Sequence, residues 1–179
     1  FVTFTPEGDR RFSFARKPGA DTCLRRSEIP TGLIDRGRAL HFGTLSLTDE
    51  PARSATRFAV AYARSHGKRI TFDPNLRKPL WASLDDAREQ MLWGLHQADV
   101  VKISDEEVEF LFGPMELREA AQRLLRDFDL KLVFLTLGKN GCLYANRNAC
   151  GTVPALSGVK TIDTTGAGDI FGGSAVWRL

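Results

Sequence analysis

Short apolar runs alternate with helical patterns through most of this chain, and that alternation limits the folds open to it. The predicted strands cover residues 39–45, 69–73, 99–103, 131–136 and 142–146. The predicted helices are one that precedes Gly67 and carries Ala52, Ala55, Phe58, Ala59, Tyr62 and Ala63 on one face, one that begins after Ser83, and two over Asp105–Phe112 and Met115–Phe128. Strands that alternate with amphipathic helices predict βαβ units, and therefore an α/β fold with a mainly parallel sheet.

The first residues follow a different pattern. Residues 1–5 and 11–15 each alternate apolar and polar side chains, and Pro6–Asp9 between them contains a glycine. Two alternating runs joined by a glycine-containing turn predict a β-hairpin. This hairpin is expected either at an edge of the main sheet or in a small separate sheet.

Composition excludes several classes of function. The 179 residues are 42% hydrophobic, which is enough for one domain with a sizeable core, and the net charge of +3 gives no argument for a nucleic-acid partner. A local basic cluster is expected to be a solvated face or the rim of an anionic-substrate site; it comprises Arg10, Arg11, Arg16, Lys17, Arg25 and Arg26. Three cysteines without metal-ligand spacing, and no apolar run of membrane-spanning length or signal sequence, predict a cytoplasmic protein. The chain begins without Met and stops inside an apolar helix, so we expect a fragment.

A glycine-rich turn near the end of the chain carries the strongest functional signal. Gly166-Ala167-Gly168 is followed by an apolar helical run, so the turn opens a helix whose free N–H groups could hold an anion. Asp169 stands beside that cradle, although a carboxylate repels a bound phosphate. A carboxylate is therefore expected there only if it has a function, such as accepting a proton from an attacking hydroxyl. The structural alternative is a tight connection with Asp in the first helical turn. The spacing excludes a dinucleotide fingerprint and a Walker A loop, because Gly172 comes one residue late and no Gly-Lys-Ser/Thr follows.

The string Asp163–Asp169 with Phe171 and Gly172 closely resembles the C-terminal signature of the ribokinase-like (PfkB-type) carbohydrate kinases. Residues 14–21 are similar to a lid segment of fructokinases and ketodeoxygluconate kinases. The resemblance implies a three-layer α/β/α fold with a mainly parallel sheet and part of a small β lid. Residues 1–26 would form the lid part and its connection, and residues 27–179 the nucleotide-binding and phosphoryl-transfer core, without the N-terminal and C-terminal parts of the family fold.

The resemblance also implies an activity and a set of roles. The implied reaction is ATP-dependent phosphorylation of a primary hydroxyl of a hexose, with fructose first. The alternatives are 2-keto-3-deoxygluconate, a weaker nucleoside-kinase option, and a non-catalytic nucleotide-binding domain. Asp169 would be the general base and Gly166, Ala167 and Gly168 the anion hole. Asp163 and Thr165 would hold a monovalent cation, for which K⁺ is the candidate. The lid would also be the contact surface of a homodimer.

Polar residues at the ends of two predicted strands extend this site, because ligands of open α/β sheets bind beyond the carboxyl ends of the strands. Asn75 and Arg77 follow the strand that ends at Asp73, and an arginine fork there could clamp a phosphate or a sugar carboxylate. The alternative is an exit turn in which Asp73 accepts local backbone amides. Ser104 and Glu107 form a capping box, while the resemblance implies that Glu107 helps hold Mg²⁺ through water, with Ser104 in place of the family's Asn.

The remaining candidates contact ATP or the sugar by resemblance. Thr136, Gly138 and Gly141 match a pattern that lines the nucleotide phosphates, although Asn-Gly at this point is also an ordinary turn signal. Either Arg77 or Lys102 would neutralise phosphate charge, and Lys102 is the candidate for contact with ATP. Arg16 would contact the sugar, the alternative being a solvated arginine in a charged loop. We interpret the scattered histidines His41, His66 and His96 as structural.

Overall fold

The computed structural model describes residues 1–4, 10–16, 18–159 and 163–178, and within them the strands form two sheets. β1 (Val2–Phe4) and β2 (Arg10–Phe12) pair antiparallel in a small sheet of their own. The hairpin is therefore separate from the main sheet, and its predicted turn, Pro6–Asp9, lies outside the described residues. The main sheet has the order β3-β4-β5-β6-β7-β8. Its strands are β3 (Ala39–Gly43), β4 (Arg69–Asp73), β5 (Val100–Ser104), β6 (Leu132–Thr136), β7 (Cys142–Ala145) and β8 (Cys150–Val153).

Strands β3 to β6 run parallel, whereas β7 and β8 are antiparallel. The α-helices are α1 (Thr31–Arg36), α2 (Ala52–Ser65), α3 (Leu84–Gln97), α4 (Asp105–Phe112), α5 (Leu117–Asp127) and α6 (Ala167–Arg178). Side-chain caps fix two of the predicted starts: the Asp86 N–H donates to Ser83 Oγ at 3.0 Å, and the Glu107 N–H donates to Ser104 Oγ at 3.2 Å. In the described part of the chain, no helix is long and apolar enough to cross a membrane.

The two faces of the sheet differ in chemistry. Since side chains alternate along a strand, the paired register puts every second residue of β3 to β7 on the same face. One face is apolar and packs with α2 to α5 into the core; it carries Phe42, Ile70, Phe72, Val101, Ile103, Val133, Leu135, Leu143 and Ala145. The other face carries polar side chains on the first three strands, namely His41, Thr71, Asp73, Lys102 and Ser104.

Helix α6 covers the second face. The ring of Phe171 meets that of Phe134 on β6 edge to face, with 5.6 Å between centroids. Gly168, in the first turn of α6, lies next to the side chain of Lys102 on β5. With α2 to α5 on one face and α6 on the other, the predicted three-layer α/β fold with a mainly parallel sheet is confirmed. Consequently, the polar side chains of β3 to β5 lie beneath the glycine turn.

We expect Gly94→Ala to lower the free energy of unfolding by about 1–2 kcal/mol, although alanine favours a helix over glycine by about 1 kcal/mol. A Cβ at position 94 would lie 2.3 Å from Cζ of Phe72, whose ring is buried and packs 4.7 Å from that of Phe42. Denaturant titration measures the change. Gly32→Ala in α1 is the control, because a Cβ there meets nothing within 4 Å. Equal or greater stability of the Gly94 variant would contradict the close packing of α3 on β4.

Candidate active site

A buried ion pair joins two strands at the carboxyl edge of the sheet. Asp73 is the last residue of β4, and Lys102 lies on the neighbouring strand β5. The ammonium of Lys102 donates to both carboxylate oxygens of Asp73, at 3.0 and 3.2 Å, and the two side chains are 13% and 6% exposed. The Asn75 N–H donates to the same carboxylate at 3.2 Å, as the exit-turn alternative predicted. The Asp73 carboxylate therefore accepts hydrogen bonds both from the turn after β4 and from the Lys102 ammonium.

Burial raises the pKa of Asp73 to about 6. The charge and hydrogen bonds of Lys102 act in the opposite direction, while the nearby carboxylates of Glu107 and Asp169 raise the pKa further. Burial thus disfavours the ionised form of Asp73, and Lys102 offsets part of that effect. Four titratable groups on four different elements, β4, β5, α4 and α6, share one electrostatic environment.

The raised pKa of Asp73 predicts a pH-dependent stability. The folded state binds the Asp73 proton more tightly than the unfolded state does. The protonated carboxyl therefore adds to the free energy of unfolding at acidic pH, and this contribution is lost as the pH rises through about 6. The shift from 3.8 to about 6 corresponds to roughly 3 kcal/mol. The free energy of unfolding of the wild type, minus that of Asp73→Asn, should fall by this order between about pH 4 and about pH 7.

Asp99→Asn provides the control of opposite sign. Burial raises the pKa of Asp99, but hydrogen bonds from Lys131 and from the Ile70 N–H outweigh it and hold the pKa below the usual value. Stability from Asp99 is therefore present above the unfolded pKa and lost as the pH falls. A pH-independent difference for Asp73→Asn, or one that rises with pH, would contradict the buried environment of Asp73.

Glu107 ties the loops after β4 and β5 together. Its carboxylate accepts the Ser104 N–H at 2.9 Å, which completes the predicted capping box, and it also accepts the Leu76 N–H at 2.7 Å. The side chain is buried, so these bonds hold the segment after β4 against the start of α4. A carboxylate has about four acceptor positions, so two remain for other donors such as metal-bound water. Among the described residues, no group of three or more His, Cys, Asp or Glu could hold a metal ion by itself.

The glycine turn begins α6 at the same edge. Asp163 Oδ1 accepts both the N–H and the hydroxyl of Thr165, each at 2.8 Å, and this bond organises the residues before the turn. The helix proper begins at Ala167, and a Cβ added to Gly168 would lie 3.0 Å from Lys102 Nζ. Asp169 follows in the first helical turn, where its side chain is exposed. A helix N-terminus, an ammonium and an exposed carboxylate thus lie together.

His41 belongs to this environment too, which the interpretation of the histidines as structural did not anticipate. Its Nδ1 lies 2.9 Å from the hydroxyl of Thr71, its partner across β3 and β4. Desolvation lowers the pKa of His41, while the charges of Asp169 and Lys102 act on it in opposite directions. The neutral ring is therefore favoured. Alternation in Thr71-Phe72-Asp73 and Lys102-Ile103-Ser104 is the sequence signal that could have revealed this polar face.

The other predicted residues lie around the edge. Thr136 is the last residue of β6, next to β5, and Gly138 and Gly141 flank the short turn that leads to β7. Asn75 and Arg77 follow β4 in the segment held by Glu107, and Arg77 is half-buried. The Asn75 backbone adopts a positive φ of 47°. At this edge, the residues predicted to contact the nucleotide therefore lie near β6, and those predicted to contact the sugar lie near β4.

Arg16 is anchored by the protein rather than solvated. Its Nε donates to Asp21 at 2.5 Å, and its terminal nitrogens donate to the Leu45 carbonyl at 2.7 Å and to the Thr48 hydroxyl at 3.2 Å. The side chain is 13% exposed. The alternative of a free surface arginine is therefore wrong, and Arg16 fixes the chain between β2 and α1 to the segment after β3. Because a terminal nitrogen of Arg16 also contacts Asp21, four of its five donors are engaged, which leaves one for a ligand.

A cavity of about 800 Å³ lies at the opposite, amino-terminal edge of the sheet and is lined in part by Arg64, Lys68 and Lys131. Each of these cations has a protein partner: Arg64 donates to the Gln97 carbonyl, Lys68 to the Asp35 carbonyl, and Lys131 to Asp99. We assign this cavity no role in the chemistry.

The fold places this chain among open α/β proteins whose ligands bind at the carboxyl edge of the sheet. The chain belongs to the pfkB family of carbohydrate kinases, whose family model matches residues 1–179. It is 41% identical to fructokinase-2 of Solanum lycopersicum over 179 residues, which is 100% of this chain and 54% of that protein. The family prediction from the sequence is thus confirmed.

Solved structures give the same placement. The structure of fructokinase from Vibrio cholerae O395 with fructose, ADP and calcium ion bound matches with a TM-score of 0.85 and 36% identity, over 99% of this chain and 57% of that one. Aminoimidazole riboside kinase from Salmonella enterica, complexed with aminoimidazole riboside and an ATP analog, matches with a TM-score of 0.75 and 32% identity, over 87% of this chain and 52% of that one. The chain spans about half the length of these relatives.

Proposed function

We propose that the whole protein carrying this chain transfers the γ-phosphoryl group of ATP to a primary hydroxyl of fructose. The observation that carries the proposal is the edge where the first turn of α6, the exposed carboxylate of Asp169 and the buried ammonium of Lys102 lie together. Asp169 accepts the proton of the attacking hydroxyl. The N–H groups of Gly166 and Gly168 stabilise the charge on the transferring group. The N–H of Ala167, the third member of the predicted anion hole, donates to the Thr164 carbonyl at 3.1 Å and fixes the shape of the turn instead. Phosphoryl transfer requires mainly such positioning and charge stabilisation.

The nucleotide lies on the β6 side of the edge in this proposal. Thr136, Gly138 and Gly141 line its phosphates, and Lys102 neutralises their charge. A bound divalent ion such as Mg²⁺ would offset the negative charge of the phosphates. Glu107 fits that ion, because its carboxylate is fixed by two N–H groups and keeps acceptor positions for metal-bound water.

The sugar lies on the β4 side of the edge. Asn75 and Arg77 contact it from the segment that Asp73 and Glu107 hold, and Arg16 contacts it from the connection to the small sheet. Asp163 and Thr165 hold a monovalent cation such as K⁺ next to the glycine turn. The pairing of two copies through β1 and β2 is a further part of the proposal.

Similarity favours fructose over the alternatives. The relative from Solanum lycopersicum is named as a fructokinase, and the structure from Vibrio cholerae contains fructose and ADP. 2-Keto-3-deoxygluconate is the second candidate, because Arg16 and Arg77 would suit its carboxylate. A nucleoside ranks lower, since the riboside kinase has a lower TM-score and identity than the fructokinase.

Sugar-dependent ADP release by the whole protein tests the proposal. Fructose, 2-keto-3-deoxygluconate and a riboside are compared in parallel with Mg²⁺ and K⁺ present. We expect turnover with fructose. Turnover with another sugar alone would replace fructose as substrate, and ATP binding without turnover on any sugar would favour a non-catalytic binding domain.

A further inference from the structure

The ammonium of Lys102 occupies a position that is unfavourable without an anion. It lies 3.0 Å from where a Cβ of Gly168 would stand, in the first turn of α6. The N-terminus of a helix carries a partial positive charge, equivalent to roughly half an elementary charge, so a cation there is repelled. Something must hold the lysine against this repulsion.

Asp73 is that holding group. Its carboxylate receives two hydrogen bonds from Lys102, and both side chains are largely buried. The pair joins adjacent strands, so the backbone of the sheet fixes the position of the ammonium. Asp73 also accepts the Asn75 N–H, which orients the carboxylate itself.

We propose that Asp73 is a positioning residue for phosphoryl transfer, whose carboxylate holds the Lys102 ammonium beside the Gly166–Gly168 turn. This inference rests on the proposed function. An ammonium has three donors, and the two oxygens of Asp73 engage two of them. The third donates to an oxygen of the transferring phosphoryl group, together with the N–H groups of the turn. The anion then interacts favourably with the helix N-terminus and with the ammonium, which repel each other without it.

A purely structural ion pair is the alternative, and the chain contains a matched example of one. At the opposite edge of the sheet, Asp99 accepts a backbone N–H from Ile70 at 2.8 Å and an ammonium proton from Lys131 at 2.5 Å. Asp99 thus has the same two kinds of partner as Asp73, a backbone N–H and a lysine, but it lies far from the glycine turn. Its lysine is also more exposed.

The test compares Asp73→Asn with Asp99→Asn in the whole protein. Asparagine keeps an acceptor for the backbone N–H in each case and removes the charge that holds the lysine. The measurements are kcat, the KM values for ATP and fructose, and the thermal midpoint of unfolding. We expect Asp73→Asn to lower kcat about 10- to 100-fold, somewhat less than the loss of a whole stabilising donor, with little change in KM for fructose. Asp99→Asn should leave kcat within about twofold.

A double-mutant cycle separates positioning from general damage. Lys102→Met should lower kcat at least as much as Asp73→Asn does, and adding Asp73→Asn to it should lower kcat by no more than about two- to threefold further. Additive losses would overturn the proposal, since Asp73 would then act independently of Lys102. An unchanged kcat in Asp73→Asn, or an equal loss in Asp99→Asn, would also overturn it. A wild type without turnover on any sugar would overturn the proposed function and this inference with it. If Asp73→Asn fails to fold, Lys102→Met is measured alone. Normal turnover in that variant would overturn the proposal, because the reaction would then not need the ammonium that Asp73 positions.

Discussion

Replacing Asp169 by asparagine should lower kcat by about 10² to 10⁴-fold while nucleotide affinity stays nearly the same. The amide is close in shape to the carboxylate but cannot accept a proton from the attacking hydroxyl. Asp169 is exposed at the start of α6 and lies near Lys102, His41 and Asp73, so it has access to substrate and a fixed backbone position. Steady-state kinetics with fructose and calorimetry with an ATP analog measure the two effects separately.

Asp85→Asn is the matched control for that experiment. Asp85 is also an exposed carboxylate in the first turn of a helix, α3, so the substitution removes the same favourable interaction with a helix N-terminus. Its loss should leave kcat unchanged. If Asp169→Asn and Asp85→Asn behaved alike, Asp169 would be a helix-stabilising residue and the assignment of the general base would be wrong.

Local patterns were sufficient to predict most elements of the fold. The strand Arg69–Asp73 and the helix Asp105–Phe112 were predicted with the bounds that the structure has, because each ends at a clear signal: Pro74 after the strand and Gly113 after the helix. The predicted strand 39–45 instead ends at Gly43. There the Thr44 N–H and hydroxyl both donate to the Pro74 carbonyl, a bond between distant segments that no local pattern contains.

Two elements were missed for lack of periodicity. α1 has six residues, too few to display a helical repeat, and it contains Gly32. β8 (Cys150–Val153) includes a glycine and ends in exposed residues, and only its antiparallel pairing with β7 identifies it as a strand. Both depend on tertiary contacts more than on their own sequence.

The candidate site was predicted residue by residue, but its arrangement was not. Asp73 and Lys102 were each noted separately, yet their pairing requires that β4 and β5 be neighbours with their side chains on the same face. The sequence motif around Asp169 suggests a phosphate cradle, whereas the ammonium beneath Gly168 comes from a strand 66 residues earlier in the chain. Register between distant strands is the information that local patterns lack.

Glu107→Gln should lower the free energy of unfolding by about 1–3 kcal/mol and raise the Mg²⁺ concentration needed for half-maximal activity. The carboxylate accepts the Ser104 N–H with one oxygen and the Leu76 N–H with the other. An amide has one oxygen only, so its NH₂ group would face one of these N–H donors inside a buried site. Both the segment after β4 and the acceptor positions for metal-bound water would then be displaced. Denaturant titration and Mg²⁺ titration of turnover measure the two effects.

Glu116→Gln is the control, because Glu116 caps α5 by accepting a single N–H, that of Glu119, at 3.0 Å. The oxygen of an amide can still accept that one bond, so the change in stability should stay below about 0.5 kcal/mol. Equal effects of the two substitutions would contradict the double role of the Glu107 carboxylate as a bridge between two loops. A loss of stability in Glu107→Gln with an unchanged Mg²⁺ requirement would instead restrict Glu107 to that bridge. The metal would then depend on the nucleotide phosphates and other residues of the whole protein.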